Sequence, residues 1–297
     1  MALNLSIFKT RSLTAAIFVV VMLVGLLWNP WLSLLLFSVI HFGCWIEYQR
    51  LMALIDKGYA GITWLHRYAV MMAGWCLMLY TAGFDVYVAG VPLNAIGAWG
   101  FAGSLCVMVI GNLRGNLRLQ LTNAGRSVLG LLYISLPIAL LAFLRTVFYR
   151  SLFMADDRLP VMLIIGSIWI NDTMAYIVGS LIGKTPLSSI SPKKTWEGTI
   201  GGLVLSVGVM GLLGYLLRNN SSWGFFTPAT WMIVAAIASV AGTFGDLLES
   251  KLKRMAGVKD SGHILPGHGG FLDRFDSLLI ATPFAWAYLV WIAGVGS

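Results

Sequence analysis

The chain has 297 residues, 58% of them hydrophobic and only 11% charged, with a formal net charge of +8. Soluble domains carry about 25% charged residues, and a soluble fold of this length could not hide so much apolar surface. These values exclude an ordinary soluble globule and point to an all-α polytopic integral membrane protein.

Nine apolar runs are long enough to span a bilayer, over residues 12–28, 31–46, 68–84, 95–111, 126–144, 160–182, 198–217, 230–250 and 275–295. Backbone groups in lipid must bond internally, so each run is predicted to be helical. Stretches such as AAIFVVVMLVGLLW lack the alternation of barrel strands. The first run follows Lys9 and Arg11 and shows no small-x-small cleavage site, so it is expected as a retained helix. The second run carries His41, expected as a satisfied interior histidine, and Glu47, expected to pair with Arg50 one turn on. Cys44, Cys76 and Cys106 lie in apolar runs without metal-ligand spacing and are expected as small buried residues. In the seventh run, GTIGGLVLSVGVMGLLG, glycines recur every three or four residues, as close helix packing requires.

Residues 1–150 thus form an N-terminal set of about five transmembrane helices. Residues 151–297 form a C-terminal set carrying the chemistry, with polar loops at 183–197 and 251–274. With the N-terminus in the cytoplasm, sixteen of the 20 Lys and Arg residues fall on the cytoplasmic side, and the C-terminus lies outside. Both polar loops then share the cytoplasmic face. Such a face suits anionic headgroups and anionic soluble substrates. Nucleic acid is excluded as a partner, because the charge is confined to short loops at a membrane.

Carboxylates mark the second half. Asp172, in IWINDTMAYIVG, lies inside an apolar run, where an ionised group costs about 2.5–3.5 kcal/mol and needs a partner or a wet cavity. Asn171 or Tyr176 could serve as a hydrogen-bonding partner. Asp246 and Glu249, in GTFGDLLESKLKR, are three apart on one helix face, where two carboxylates repel unless a proton or cation intervenes. Either could instead pair with Lys251, Lys253 or Arg254. Asp273 and Asp276 repeat the spacing at the start of the ninth helix. Capping would explain one of them. The preceding glycines let backbone N–H groups approach an anion, and Lys259, His268 and Arg274 could add donors to phosphate oxygens. The other loop, SSISPKKTWEG, places Ser191, Lys193, Lys194 and Thr195 within five residues. It lacks the spacing of a P-loop. No aromatic residue stands out in these loops beyond Trp196. Carboxylates from separate helices suit divalent cations, and lysines with glycine amides suit a polyphosphate.

The stretch Ser250 to Asp276, SKLKRMAGVKDSGHILPGHGGFLDRFD, resembles the signature of the phosphatidate cytidylyltransferases, or CDP-diacylglycerol synthases. SPKKTWEG and NDTMAY resemble two further segments of that family. Asn171 departs from the small residue expected before the aspartate. The resemblance implies that CTP and phosphatidate give CDP-diacylglycerol and pyrophosphate, at a membrane, for phospholipid synthesis. It implies a magnesium requirement, here two metal ions with the second of undetermined identity. Carried over by motif, Asp246 and Asp273 are the first metal ligands, with Asp276 and Asp172 next. Ser191, Lys193, Lys194, Thr195, Lys259, His268, Gly269, Gly270 and Arg274 would bind the substrates. Asp246, Asp273, Lys194 and His268 would carry catalysis, with His268 either on phosphate or on the leaving oxygen. Membrane lipids are the expected surroundings, a bacterial inner membrane the expected setting, and a homodimer is compatible with the family. Asp246→Asn and Asp273→Asn are each expected to abolish turnover and leave a folded, inserted protein. A CTP-dependent lipid kinase and an ion transporter remain alternatives. The first would release CDP, and the second would carry ion flux without nucleotide turnover.

Overall fold

In the computed structural model the described residues are 5–83, 86–111, 117–152, 158–220, 226–262 and 269–294. Two compact units divide the chain: Met1–Ala142 with Leu252–Phe275, and Phe143–Lys251 with Asp276–Ser297. The segment just before the last helix therefore belongs with the N-terminal helices.

The first unit begins with α1 (Leu5–Leu27) and α2 (Pro30–Ile55). Asn29 starts α2 by accepting the Leu32 N–H at 2.8 Å, and Pro30 fills the first helical position, where no donor is needed. Ser33 ties the two helices by donating to the Gly25 carbonyl at 2.7 Å. A short α3 (Lys57–Ala60) leads to α4 (Trp64–Thr81). The hairpin β1 (Tyr87–Val88) and β2 (Val91–Pro92) turns through Ala89 and Gly90, both at positive φ, into α5 (Leu93–Gly111). α4 and α5 pack with their backbones close. A Cβ at Gly97 would lie 2.4 Å from the Tyr80 nitrogen.

Next come α6 (Leu117–Gly130), a π-helical turn over Leu131–Ser135, and α7 (Leu136–Leu152). Pro137, just after the turn, has no N–H to donate, so a widened turn costs the helix less there. Ser135, at the end of the π turn, meets His41 Nε2 at 3.0 Å and accepts from Trp45 Nε1 at 2.8 Å. His41 is thus the buried interior histidine expected from the sequence, bonded through Nε2. At the loop after α2, Asp56 accepts from Gly58 N at 2.6 Å and pairs with Arg126. The Gly58 N–H, aided by the Arg126 guanidinium, holds the Asp56 carboxyl below its ordinary value. Cys44 and Cys76 are buried, but Cys106 is exposed on α5, against the expectation for all three. It sits on a helix with few buried positions, as a lipid-facing helix would have.

The second unit holds α8 (Leu159–Ile182), α9 (Trp196–Leu217), most of α10 (Pro228–Met255) and, from Asp276 on, α11 (Leu272–Ile292). The α9 glycines do what their spacing predicts. A Cβ at Gly198 would lie 2.8 Å from the Ala175 carbonyl, and one at Gly202 would lie 2.7 Å from Ala175 Cβ and 2.8 Å from the Asn171 carbonyl. Ser206 seals the contact by donating to the Ser167 carbonyl at 3.0 Å. Gly202→Ala is expected to cost about 1–3 kcal/mol through overpacking. A lower unfolding midpoint in detergent would record this, and an unchanged midpoint would mean that α8 and α9 part freely.

Over the described residues each of the nine predicted runs overlaps a helix, the fifth across α6, the π turn and α7. Seven helices among the described residues are long and apolar enough to cross a membrane. Ala16–Leu27 is a shorter apolar helix, and α4 is outside the seven. The chain is therefore an all-α polytopic membrane protein.

Candidate active site

In the second unit, the loop between α8 and α9 folds back on itself. Leu187 N donates to the Lys194 carbonyl at 2.7 Å, and Trp196 N to the Thr185 carbonyl at 2.9 Å. Glu197 holds the loop's entry by accepting the N–H groups of Lys184 and Thr185, each at 3.2 Å. Thr195 caps α9, its hydroxyl oxygen accepting Gly198 N at 3.1 Å. A Cβ at Gly183 would sit 2.6 Å from that hydroxyl oxygen. Of the residues assigned to substrate here, Thr195 thus has a structural task, Ser191 offers its carbonyl to Lys194 N, and Lys193 is exposed.

Lys194 reaches α10 and forms an ion pair with Asp246. The sequence offered Lys251, Lys253 or Arg254 as partners for Asp246, but the loop lysine takes it. A Cβ at Gly245 would lie 2.4 Å from the Asp276 carbonyl oxygen, so α10 and α11 touch at the backbone beside Asp246. Asp276 is buried, accepts Ser277 N at 2.6 Å, and feels the charges of Asp246, Lys194 and Asp172. Asp172 accepts from Asn171 at 3.3 Å, one of the partners the sequence offered. Glu249, one turn from Asp246, is buried. Three helices, α8, α10 and α11, thus bring Asp172, Asp246 and Asp276 within electrostatic range, with Lys194 among them.

The first unit contains Asp273 and the described part of the segment before α11. Asp273 Oδ2 accepts Gly270 N at 2.8 Å and Ser261 N at 2.9 Å and lies 3.0 Å from Ser261 Oγ, while Oδ1 takes Lys253 Nζ at 2.5 Å. Gly269 has φ of 80°, and a Cβ there would lie 2.6 Å from Asp273 Oδ2. Lys259 and Arg274 are exposed, and His268 lies outside the described residues.

Glu47 is the residue the sequence reading missed. It does not turn to Arg50. Its buried carboxylate accepts Ser261 Oγ at 2.6 Å and the N–H groups of Phe271 and Leu272, each at 2.9 Å. The orphan donors that open α11 are thus met by the chain's own anion. A carboxylate at the end of an apolar run was the available signal, because such a group must find donors somewhere.

Among the described residues no three His, Cys, Asp or Glu side chains form a ready metal cage. Magnesium rarely uses such a cage. It is bound through one or two carboxylates plus substrate phosphates, with waters retained. The oxygen donors of Asp172, Asp246 and Asp276 fit that pattern, and the Lys194 ammonium already places a cation against Asp246.

An all-α membrane protein that sets buried and half-buried carboxylates against lysines has the makings of an enzyme of phosphate chemistry. The chain belongs to the cytidylyltransferase family, which it matches over residues 9–292. It is similar to the phosphatidate cytidylyltransferase of Staphylococcus haemolyticus, 49% identical over 118 residues, or 39% of this chain and 43% of that protein. Chloroplastic phosphatidate cytidylyltransferase 4 of Arabidopsis thaliana is 47% identical over 120 residues, 40% of this chain and 29% of that one. The Thermotoga maritima phosphatidate cytidylyltransferase is 37% identical over 160 residues, 52% and 59% of the two chains. The chain spans less than two thirds of the length of each of these relatives.

Proposed function

We propose that this chain transfers the cytidylyl group of CTP to phosphatidate, giving CDP-diacylglycerol and pyrophosphate. Family membership and the names of the relatives supply the reaction class. The observation that carries the reading is the Lys194–Asp246 ion pair beside the buried Asp276, where α10 and α11 touch at Gly245.

Phosphatidate is already anionic near neutral pH, since a phosphate monoester has a second pKa of about 6. No strong general base is needed. A lipid phosphate oxygen bonds to the α-phosphorus of CTP as the bond to the β-phosphate oxygen breaks, and pyrophosphate leaves. The obstacle is the meeting of two anions. Magnesium bound to Asp246 and Asp276, with Asp172 beside them, would neutralise phosphate charge. In the first unit, Asp273 and its loop would serve the nucleotide, with Oδ1 giving up Lys253 while Oδ2 stays committed to Ser261 and Gly270. Lys194 exchanges Asp246 for a phosphate oxygen, and Lys193, Lys259 and Arg274 offer further cations.

We extend the proposal to topology: nine spans, N-terminus and active face cytoplasmic, C-terminus outside, in a bacterial inner membrane. The charge asymmetry supports it.

Lys194→Ala is expected to raise KM for CTP or phosphatidate about tenfold, since a hydrogen bond to a charged group is worth roughly 1.5–3 kcal/mol. Unchanged KM for both would remove Lys194 from the site. The reaction itself is tested with purified protein, labelled CTP, phosphatidate and magnesium, omitting each in turn. A CDP-lipid and pyrophosphate are expected. Phosphorylated lipid with CDP would identify a kinase instead.

A further inference from the structure

We propose that Glu47, in the N-terminal part of the chain, is a positioning residue that sets the segment before α11 and, through Ser261, the Asp273 carboxylate. This rests on the cytidylyltransferase reading above, in which Asp273 and its loop serve the nucleotide.

Three features carry it. First, Glu47 is 2% exposed, yet each of its oxygens is engaged. Oε1 accepts Phe271 N, and Oε2 accepts Leu272 N and Ser261 Oγ. A buried carboxylate with so full a set of donors is fixed in place. Second, two glycines of the segment fit around it. A Cβ would lie 2.1 Å from Glu47 Oε1 at Gly262 and 2.2 Å from Oε2 at Gly270, and at both positions all three nearest atoms belong to Glu47. The glycines leave room for the glutamate, so the chain at Gly262 and at Gly270 is drawn around it. Third, the Ser261 hydroxyl stands 2.6 Å from Glu47 and 3.0 Å from Asp273, and the Ser261 and Gly270 N–H groups both point at Asp273 Oδ2. The hydroxyl carries one proton, and the shorter contact gives it to Glu47. Moving Glu47 therefore moves Ser261 and Gly270, and with them two main-chain donors of Asp273.

Glutamine keeps the shape of Glu47 but leaves one acceptor oxygen and sets an NH2 group against donors. Glu47→Gln is therefore expected to loosen the start of α11. Amide hydrogen exchange at Phe271 and Leu272 should quicken at least tenfold. In the CTP assay KM for CTP should rise at least tenfold, a change that a smaller folded fraction cannot produce. Ser261→Ala, which removes one bond and leaves the two N–H contacts, is the milder variant should Glu47→Gln fail to fold. It should raise KM for CTP in the same direction. Gln49→Ala, on the same helix as Glu47 but bonded instead to the Arg67 carbonyl of α4, is the control and should leave KM at the wild-type value. Wild-type exchange at Phe271 and Leu272 in Glu47→Gln would overturn the proposal whatever the activity. Faster exchange with wild-type KM would overturn it too, leaving Glu47 a support of the fold alone. If the wild-type protein makes no CDP-lipid, the functional reading fails by itself, and exchange still decides whether Glu47 fixes the segment.

Discussion

Asp246→Asn is expected to lose nearly all turnover and to leave the protein folded and inserted. Asp246 is the hub of its unit: it pairs with Lys194, bears on Asp276 and lies one turn from Ser250, whose hydroxyl is 3.4 Å away. Its side chain is 27% exposed, and an ion pair so open to solvent contributes only about 0–1 kcal/mol to stability. The charge matters for the chemistry instead. Loss of a single group that stabilises transition-state charge lowers kcat about 100- to 1,000-fold, and Asp246 also restrains Lys194. A drop of about 1,000-fold is expected in the labelled-CTP assay, with an unfolding midpoint within a degree or two of wild type. Activity near wild type would take Asp246 out of the site.

Asp273→Asn behaves differently. The sequence treats the two aspartates alike, but their surroundings separate them. Asp273 is 9% exposed at its side chain and is gripped by Lys253, Ser261 and Gly270. Asparagine would keep one oxygen for these donors and turn its NH2 group toward a lysine left 15% exposed and without its counter-charge. Removing one partner of a buried pair costs about 3–5 kcal/mol. Asp273→Asn is thus expected to lose stability by about 3 kcal/mol as well as activity. Unfolding in graded denaturant would show the earlier transition, and the wild-type midpoint would mean that Lys253 readily finds another partner.

The contrast shows what the sequence could reveal. Apolar length located helices, seven of them long and apolar enough to span among the described residues, because a bilayer leaves the backbone little choice. Glycine spacing located the α8–α9 contact, because Gly198 and Gly202 recur on one side of α9. Asp172, Asp246, Asp273 and Asp276 were legible as anomalies, charges beside apolar segments. Their partners were not. Glu47 was expected to turn to Arg50 three residues away and instead meets Ser261, while Asp246 prefers Lys194 to three cations on its own segment. Short-range spacing says nothing of contacts made by residues so far apart in the chain. Gly270 was assigned to a bound anion. Its N–H does serve a carboxylate, but that of Asp273, and the room it leaves is filled by Glu47. At Gly270 the donor read from the glycine-rich stretch meets an anion of the protein's own.

The most direct measurement of the carboxylate centre is retention of labelled CTP by detergent-solubilised protein in equilibrium dialysis, with and without magnesium. Wild-type protein should hold CTP only when magnesium is present, and Asp246→Asn, though folded, should lose that metal-dependent share. Magnesium-dependent retention at the wild-type level in Asp246→Asn, or retention indifferent to the metal in the wild type, would contradict a cation held between the nucleotide and these aspartates.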